Sequence, residues 1–240
     1  MEKNTTAYIL DYADIHPNFS IEDLLSYLGK KISISRSALS WYLFKLVNDN
    51  KLVRTGHGIY SKITKQMFAP EPIEKVREVN GLLQKHYPFA RFCVYQGEIL
   101  APLQHHLSSN RVIYIETDRD SAETVFNFLR ETKTDVFLRP DKEMIYRYID
   151  LAKRVYIVKN LVSEAPLQKV SGVPMPTLEK MLVDILRDPD FFYLQGSESE
   201  HIIENAFNLY TINNNRLFRY AGRRKVIDGL RTILNNITTK

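Results

Sequence analysis

Cationic and hydroxyl side chains recur near the amino end of this 240-residue chain, and their spacing would place them along one face of a helix. Arginine and lysine bind phosphate oxygens, and arginine and serine also reach base edges in a DNA duplex. A hairpin predicted directly after this helix offers further cations at a glycine-containing tip, which would allow close approach to a nucleic-acid backbone. These patterns predict the following contacts to double-stranded DNA: Arg36, Ser37, Ser40, Trp41, Lys45, Arg54, His57 and Lys62.

Two other interpretations of this surface remain open. Small three-helix units with a hairpin also dock other proteins, and a charged helix face is often only solvated. The environment of Trp41 is open as well, because an aromatic residue at that position can be buried as readily as exposed. DNA binding is the leading hypothesis for this segment, and a protein-interaction module that does not bind DNA is the alternative.

The positive charge is concentrated at the two ends of the sequence. Residues 1–68 hold nine Lys and Arg against six Asp and Glu, and residues 201–240 hold seven against two, in a chain of net charge +5. The carboxyl-terminal cations interleave with Phe218 and Tyr220, which favours a second phosphate-contacting patch or a surface for RNA or an acidic partner. A solvated helix face explains the same pattern. The residues of this second basic patch are Arg216, Arg219, Arg223, Arg224 and Lys225.

Patterns typical of catalysis are short or incomplete. Gly196-Ser197 resembles the turn of nucleotidyltransferases, but no Asp-x-Asp follows it. Asp141-Lys142 resembles part of a nuclease signature, but the residues after it predict a helix where such a site requires a strand. The adjacent His105-His106 would point about 100° apart on a helix and make a poor pair of metal ligands. We therefore predict no enzyme, metal or cofactor, and keep a metal-dependent nuclease or nucleotidyltransferase as the third class.

Cysteine content and hydropathy bear on the compartment. The single cysteine, Cys93, cannot form an internal disulfide, and it lies in an apolar run where an inert buried thiol is expected. No stretch approaches the roughly 20 apolar residues that span a bilayer. The polar start Met1–Thr5 lacks the apolar core of a signal peptide. We expect a soluble, cytoplasmic protein with no membrane partner.

The amino-terminal segment predicts three helices and a hairpin. Apolar residues recur at helical spacing up to Pro17, and Ser20 with two acidic residues after Ile21 predicts the start of a second helix that ends at Gly29. Ser33 or Ser35 would cap the third helix, which buries Leu39, Leu43 and Leu46. The predicted helices cover about residues 5–16, 21–29 and 36–50, and the strands Leu52–Arg54 and Ile59–Lys62 flank the turn Thr55–Gly58.

Strands and helices alternate in the next part of the chain, which indicates helices packed on a sheet. The last third, from Thr177 onward, predicts helices almost throughout, and Ser171–Pro176 is interpreted as a break between a strand and a helix. The predicted strands are Phe92–Tyr95, Arg111–Glu116, Asp135–Arg139 and Arg154–Lys159, and the predicted helices between them are Ser121–Glu131 and Lys142–Leu151.

These elements predict an α+β or α/β chain in three parts. Residues 1–68 would form a winged helix-turn-helix, and residues 69–90 a linker and connecting helix, because Pro70 and Pro72 exclude a continuous helix or central strand there. Residues 91–240 would form an α/β effector domain, a small mixed sheet flanked by helices, with a helical carboxyl-terminal part.

Ser33–Lys62 resembles the DNA-binding segment of winged-helix regulators, and two short motifs narrow that resemblance. Gly56-His57-Gly58-Ile59-Tyr60 resembles the G-x-Y wing of AbiEi-type antitoxins. The family's helix motif T-x-E-x-x-L-x-D-x-L is matched at Thr177, Glu179, Leu182, Asp184 and Leu186.

The resemblance to AbiEi-type antitoxins implies a transcriptional autorepressor and antitoxin of a type IV toxin–antitoxin, or abortive-infection, system. It implies that the winged helix binds the promoter of its own operon, and that a nucleotidyltransferase-like toxin is the functional partner without a stable complex. Without the resemblance, the residue types of the helix motif predict a packing role, in which Thr177 caps the helix. Lys180 and Asp184 would form an i,i+4 ion pair that contributes a few tenths of a kcal/mol.

Overall fold

The structure is a computed structural model that describes residues 2–49, 51–63, 65–106 and 109–238. The chain forms two compact units, Met1–Met67 with Leu209–Arg216, and Phe68–Asn208 with Leu217–Lys240. The first division of the chain thus falls directly before the segment that contains Pro70 and Pro72. Among the described residues, no helix combines the length and apolar character needed to cross a membrane.

Three helices and three short strands make up the amino-terminal part of the first unit. The strands form one antiparallel sheet in the order β1-β3-β2, in which Phe19 pairs with Tyr60 and Arg54 also pairs with Tyr60. The elements are α1 (Glu2–Ile15), β1 (Phe19–Ser20), α2 (Ile21–Gly29), α3 (Arg36–Asn48), β2 (Leu52–Gly56) and β3 (Ile59–Lys62).

Side-chain caps define where the second and third helices begin. The Ser20 side chain accepts a hydrogen bond from the Asp23 amide while the Asp23 carboxylate accepts one from the Ser20 amide, so two otherwise free amides of α2 are satisfied. Ser35, rather than Ser33, caps α3 by accepting a bond from the Ala38 amide. The sequence allows either serine to cap the helix, and the extended backbone of Ser35 places the start of α3 at Arg36.

The hairpin turn is tighter than the sequence predicts. The strands extend to Gly56 and from Ile59, which leaves only two residues in the turn. Gly58 has a φ of +68°, a conformation that favours glycine because it has no Cβ. The Tyr60 side chain is buried and stacks on Phe19 with ring centroids 6.2 Å apart, so the hairpin is held against β1.

From Phe68 onward the chain contains a mixed four-stranded sheet in the order β4-β5-β7-β6. β4 is antiparallel to β5, whereas β5, β7 and β6 are parallel. This sheet and the helices around it confirm the predicted α+β class and helical carboxyl-terminal part. The elements are α4 (Glu74–His86), β4 (Phe92–Gln96), a 3-10 helix (Gly97–Leu103), β5 (Ile113–Thr117), α5 (Ala122–Thr132), β6 (Val136–Leu138), α6 (Lys142–Tyr148), β7 (Tyr156–Asn160), β8 (Leu167–Val170), β9 (Val173–Pro176), α7 (Leu178–Asp184), a 3-10 helix (Pro189–Leu194), α8 (Ser197–Leu209), α9 (Asn214–Arg224) and α10 (Ile227–Thr238).

The segment before α7 also differs from its predicted form. Ser171–Pro176 is not simply a break, because its last four residues form β9, which pairs antiparallel with β8. β9 has only β8 as a neighbour in its sheet, so its other edge forms no strand pairing. Proline has no amide hydrogen to donate, and two prolines fit in this strand because the unpaired edge needs no donor. Gly172, with a φ of +80°, makes the turn between β8 and β9.

Candidate nucleic-acid interface

The buried side of α3 determines which of its residues face solvent. Leu39, Leu43 and Leu46 are fully buried or nearly so and pack in the core of the first unit. The opposite side of the helix is therefore exposed. Ala38 and Asn48 are also exposed, and we give the name α3 surface to Arg36, Ser37, Ser40, Trp41, Phe44 and Lys45.

Two large aromatic side chains lie on the α3 surface. Trp41 is 51% exposed and Phe44 is 65% exposed, so both rings are on the surface. Phe44 is not among the contacts that the sequence predicts. The spacing could have identified Phe44, because residues three apart are neighbours on a helix. The Lys45 ammonium lies 5.3 Å from the centre of the Trp41 ring, close enough for a cation–π contact.

Polar contacts hold the first turn of α3 in place. An Arg36 guanidinium nitrogen lies 2.6 Å from a Glu22 carboxylate oxygen, and both side chains are mostly exposed. The pKa of Glu22 is lowered, first by a hydrogen bond from its own backbone amide and then by Arg36. The Ser40 hydroxyl donates to the Arg36 carbonyl at 2.9 Å. The charge of Arg36 is thus partly balanced by a carboxylate of α2.

The hairpin cations differ in their pairing. Arg54 is exposed and its Nε donates to the Gly56 carbonyl at 3.2 Å, and no carboxylate of the described residues is paired with it. His57 is exposed at the turn. Lys62 forms an ion pair with Asp14 of α1 and is only partly exposed. Arg54 is accordingly the hairpin cation most available to an external anion.

The second basic patch is not one exposed set of side chains. Arg219 and Arg223 are exposed, and Arg223 donates to the Ser163 hydroxyl at 2.8 Å. Lys225 is exposed, whereas Arg216 is partly buried. Arg224 must be reassigned, because its side chain is largely buried and forms an ion pair with Asp188. The sequence could not show this, since the carboxylates that surround Arg224 come from distant parts of the chain.

Arg224 belongs to a buried charge network inside the second unit, whose core holds the predicted pair of Lys180 and Asp184. Lys180 is fully buried, with its Nζ 2.6 Å from Asp184 and 2.8 Å from Glu116. The predicted i,i+4 ion pair is confirmed, but it is buried, so the contribution of a few tenths of a kcal/mol expected for such a pair on a helix surface does not apply to it. The members of the network are Glu116, Lys159, Lys180, Asp184, Asp188, Asp190 and Arg224.

Each charge of this network is matched by hydrogen bonds or opposite charges. Lys159 Nζ lies 2.7 Å from Asp190 and 3.0 Å from Asp188, and the Tyr95 hydroxyl donates to Glu116 at 2.7 Å. Burial alone would raise the pKa of Glu116, but the nearby lysines outweigh it and the pKa is lowered. A cleft of about 240 Å³ opens beside the network.

The residues of the AbiEi-like helix motif have structural positions in this network or its surroundings. Thr177 caps α7 by accepting a hydrogen bond from the Lys180 amide, as predicted. Every residue of α7 is buried, including Glu179 and Asp184. The Tyr220 hydroxyl donates to Asp184 at 3.0 Å, which links α9 to α7. The motif therefore has a packing role in the second unit, with Leu186 as its only residue that is partly exposed.

The remaining chemically suggestive residues are Cys93 and the adjacent histidines His105 and His106, whose ring centroids lie 4.6 Å apart. Cys93 is fully buried, as predicted, and burial raises the pKa of its thiol. The side chains of His105 and His106 are exposed, and the His105 amide donates to Glu198 at 2.7 Å. Within the part of the chain that the structure describes, no group of three or more His, Cys, Asp or Glu side chains is arranged to hold a metal ion.

Comparison with known proteins places the chain in a family. A family model described as a family of unknown function (DUF6577) matches residues 38–240, which cover most of the chain. No curated protein matches the chain. The matched range begins within α3, so it includes the hairpin and the whole buried charge network.

Proposed function

We propose that this chain, which belongs to the DUF6577 family of proteins of unknown function, is a DNA-binding transcriptional regulator. The α3 surface would enter the major groove of double-stranded DNA, and the β2–β3 hairpin would contact the adjacent backbone as a wing. The observation that carries the proposal is the α3 surface itself. It presents hydroxyls, cations and aromatic rings, while no residue of Arg36–Asn48 is acidic.

The order of elements around the α3 surface supports a winged helix-turn-helix. Two helices precede α3, a two-stranded hairpin follows it, and the short β1 pairs with β3. Leucines on the inner side anchor α3, so the outer side can be offered to a partner without loss of core packing. Arg36 and Arg54 then supply phosphate contacts, which fix orientation without reading sequence.

The resemblance to AbiEi-type antitoxins extends the proposal to a biological role. We propose an autorepressor that binds the promoter of its own operon, with a nucleotidyltransferase-like toxin as functional partner. The Gly56–Tyr60 wing and the α7 motif support this role. Co-expression with the product of the adjacent gene tests it, because an antitoxin restores growth that the toxin alone arrests. Growth arrest that persists would remove the antitoxin role and leave the regulator proposal standing.

Binding to the DNA upstream of its own gene tests the central proposal. We expect the double variant Arg36→Ala/Arg54→Ala to bind this DNA more weakly at every salt concentration, by fluorescence anisotropy. The slope of log affinity against log salt should fall by about one for each phosphate that the variant no longer neutralises. Arg147→Ala is the matched control, since it removes an exposed arginine from α6 and should change neither quantity.

Docking of another protein is the competing function for the same surface. The exposed Trp41 and Phe44 favour it as a second candidate, because aromatic residues are enriched at protein interfaces. Wild-type protein that fails to bind any duplex, while the double arginine variant behaves identically, would overturn DNA binding in favour of this candidate.

A further inference from the structure

The α3 surface combines cations with apolar rings, and the rings need a separate explanation. Trp41 and Phe44 are three residues apart, and at about 100° per residue they lie roughly 60° from one another around the helix axis. Leu39, Leu43 and Leu46 occupy the opposite side. The two rings thus stand near the middle of the exposed face, while Arg36 and Lys45 lie at its edges.

A phenyl ring in this position cannot recognise phosphate. The Phe44 side chain has no hydrogen-bond donor, and more than half of it is exposed to water. The major groove offers one apolar group to such a side chain, the 5-methyl group of thymine. The positive charge around the rings makes a polyanion the complementary partner, which favours a duplex over an apolar protein surface.

We infer that Trp41 and Phe44 recognise thymine methyl groups in the major groove, so that the protein prefers A·T base pairs where the middle of α3 meets the DNA. This inference rests on the proposed DNA-binding function. Arg36, Lys45 and Arg54 supply affinity that does not depend on sequence, and the rings supply the preference. Lys45 contributes both to the affinity and to the preference. Its ammonium is attracted to phosphate, and it lies 5.3 Å from the centre of the Trp41 ring.

Replacing thymine by uracil tests the inference directly. The DNA upstream of the gene is amplified once with dTTP and once with dUTP and uracil-containing primers, which removes every thymine methyl and leaves charge and base pairing unchanged. The wild-type protein should bind the uracil duplex more weakly, by about fourfold for each methyl group that the rings would otherwise cover. Trp41→Ser/Phe44→Ser should bind both duplexes equally, at the affinity of wild type for uracil DNA.

The matched control is Arg54→Ala, which should weaken binding to both duplexes and keep their ratio. Circular dichroism and thermal unfolding establish that the serine variant folds, as expected for two residues outside the core. Equal wild-type affinity for both duplexes would overturn the inference and leave DNA binding intact. A thymine preference that persists in the serine variant would overturn the role of these rings. No binding to either duplex would instead overturn the proposed function.

Discussion

The α3 surface and the buried charge network use the same kinds of side chain in opposite environments. On the α3 surface, Arg36 meets Glu22 in water, where an exposed ion pair contributes little and opens easily. In the network, Lys180 meets Glu116 and Asp184 with almost no exposure to water. The charge of Arg36 is therefore weakly held and available to a partner, whereas the charge of Lys180 is tightly held and hidden from partners.

The energetics of the two regions follow from desolvation. Bringing an ion out of water costs several kcal/mol unless close partners compensate, so every member of the network depends on the others. On the α3 surface, water solvates a charge whose partner is removed. Removing one charge should thus affect stability strongly in the network and weakly on the α3 surface.

Lys180→Met should have the largest effect of the changes considered. It leaves the Glu116 and Asp184 carboxylates buried without their shared cation, and we expect the free energy of unfolding to fall by about 3–5 kcal/mol. Urea unfolding followed by circular dichroism measures this change. Lys45→Met is the matched control, because it makes the same substitution on the α3 surface and should change stability by less than about 1 kcal/mol. Equal losses for both variants would contradict the contrast between the regions.

The position of Lys180 also shows where sequence reasoning reaches its limit. The sequence contains the i,i+4 spacing of Lys180 and Asp184, and that spacing correctly predicts the ion pair but gives it only a small energy. Glu116 lies 64 residues away on β5, so only the folded chain brings it to Lys180. The sequence also groups Arg224 with the other cations of the second basic patch, because the carboxylates that it meets are distant in sequence. Local spacing carries no information about which distant charges a helix will meet.

Local signals were more successful in the first unit. The Ser20 cap, the leucine stripe of α3 and both strands of the hairpin follow from residues close in sequence. Strand β1 has only two residues, Phe19 and Ser20, which is too short for an alternating pattern to appear. Polar residue types alone do not point to Phe44, although its spacing from Trp41 places the two rings on one face of the helix.

Glu78 represents an intermediate case and should have an intermediate effect. Its carboxylate accepts hydrogen bonds from Lys133 and Lys75, which lower its pKa from 4.5 to about 2. A lowered pKa in the fold stabilises the protein above the unfolded value, and this contribution is lost as the pH falls from about 4.5 to about 2. Since a third of the side chain is exposed, we expect a contribution of only about 1 kcal/mol at neutral pH.

The difference in free energy of unfolding between wild type and Glu78→Gln measures this contribution. It should be constant from pH 7 down to about pH 5 and then close as both forms become neutral at this position. A difference that stays constant down to about pH 2.5 would show that Glu78 acts through packing rather than charge.

The smallest expected effect belongs to Glu22, and its sign is opposite to that of the arginine variants. Glu22→Gln removes the carboxylate beside Arg36 on the α3 surface, which releases the guanidinium and removes a charge that repels phosphate. Affinity for DNA should therefore rise, by roughly two- to fivefold, because exposed ion pairs are weak. The measurement is anisotropy at low salt, and the gain should vanish in Glu22→Gln/Arg36→Ala if it acts through Arg36. A loss of affinity in Glu22→Gln would mean that the ion pair orients Arg36 for binding, and the α3 surface would then share the interdependence that distinguishes the buried charge network.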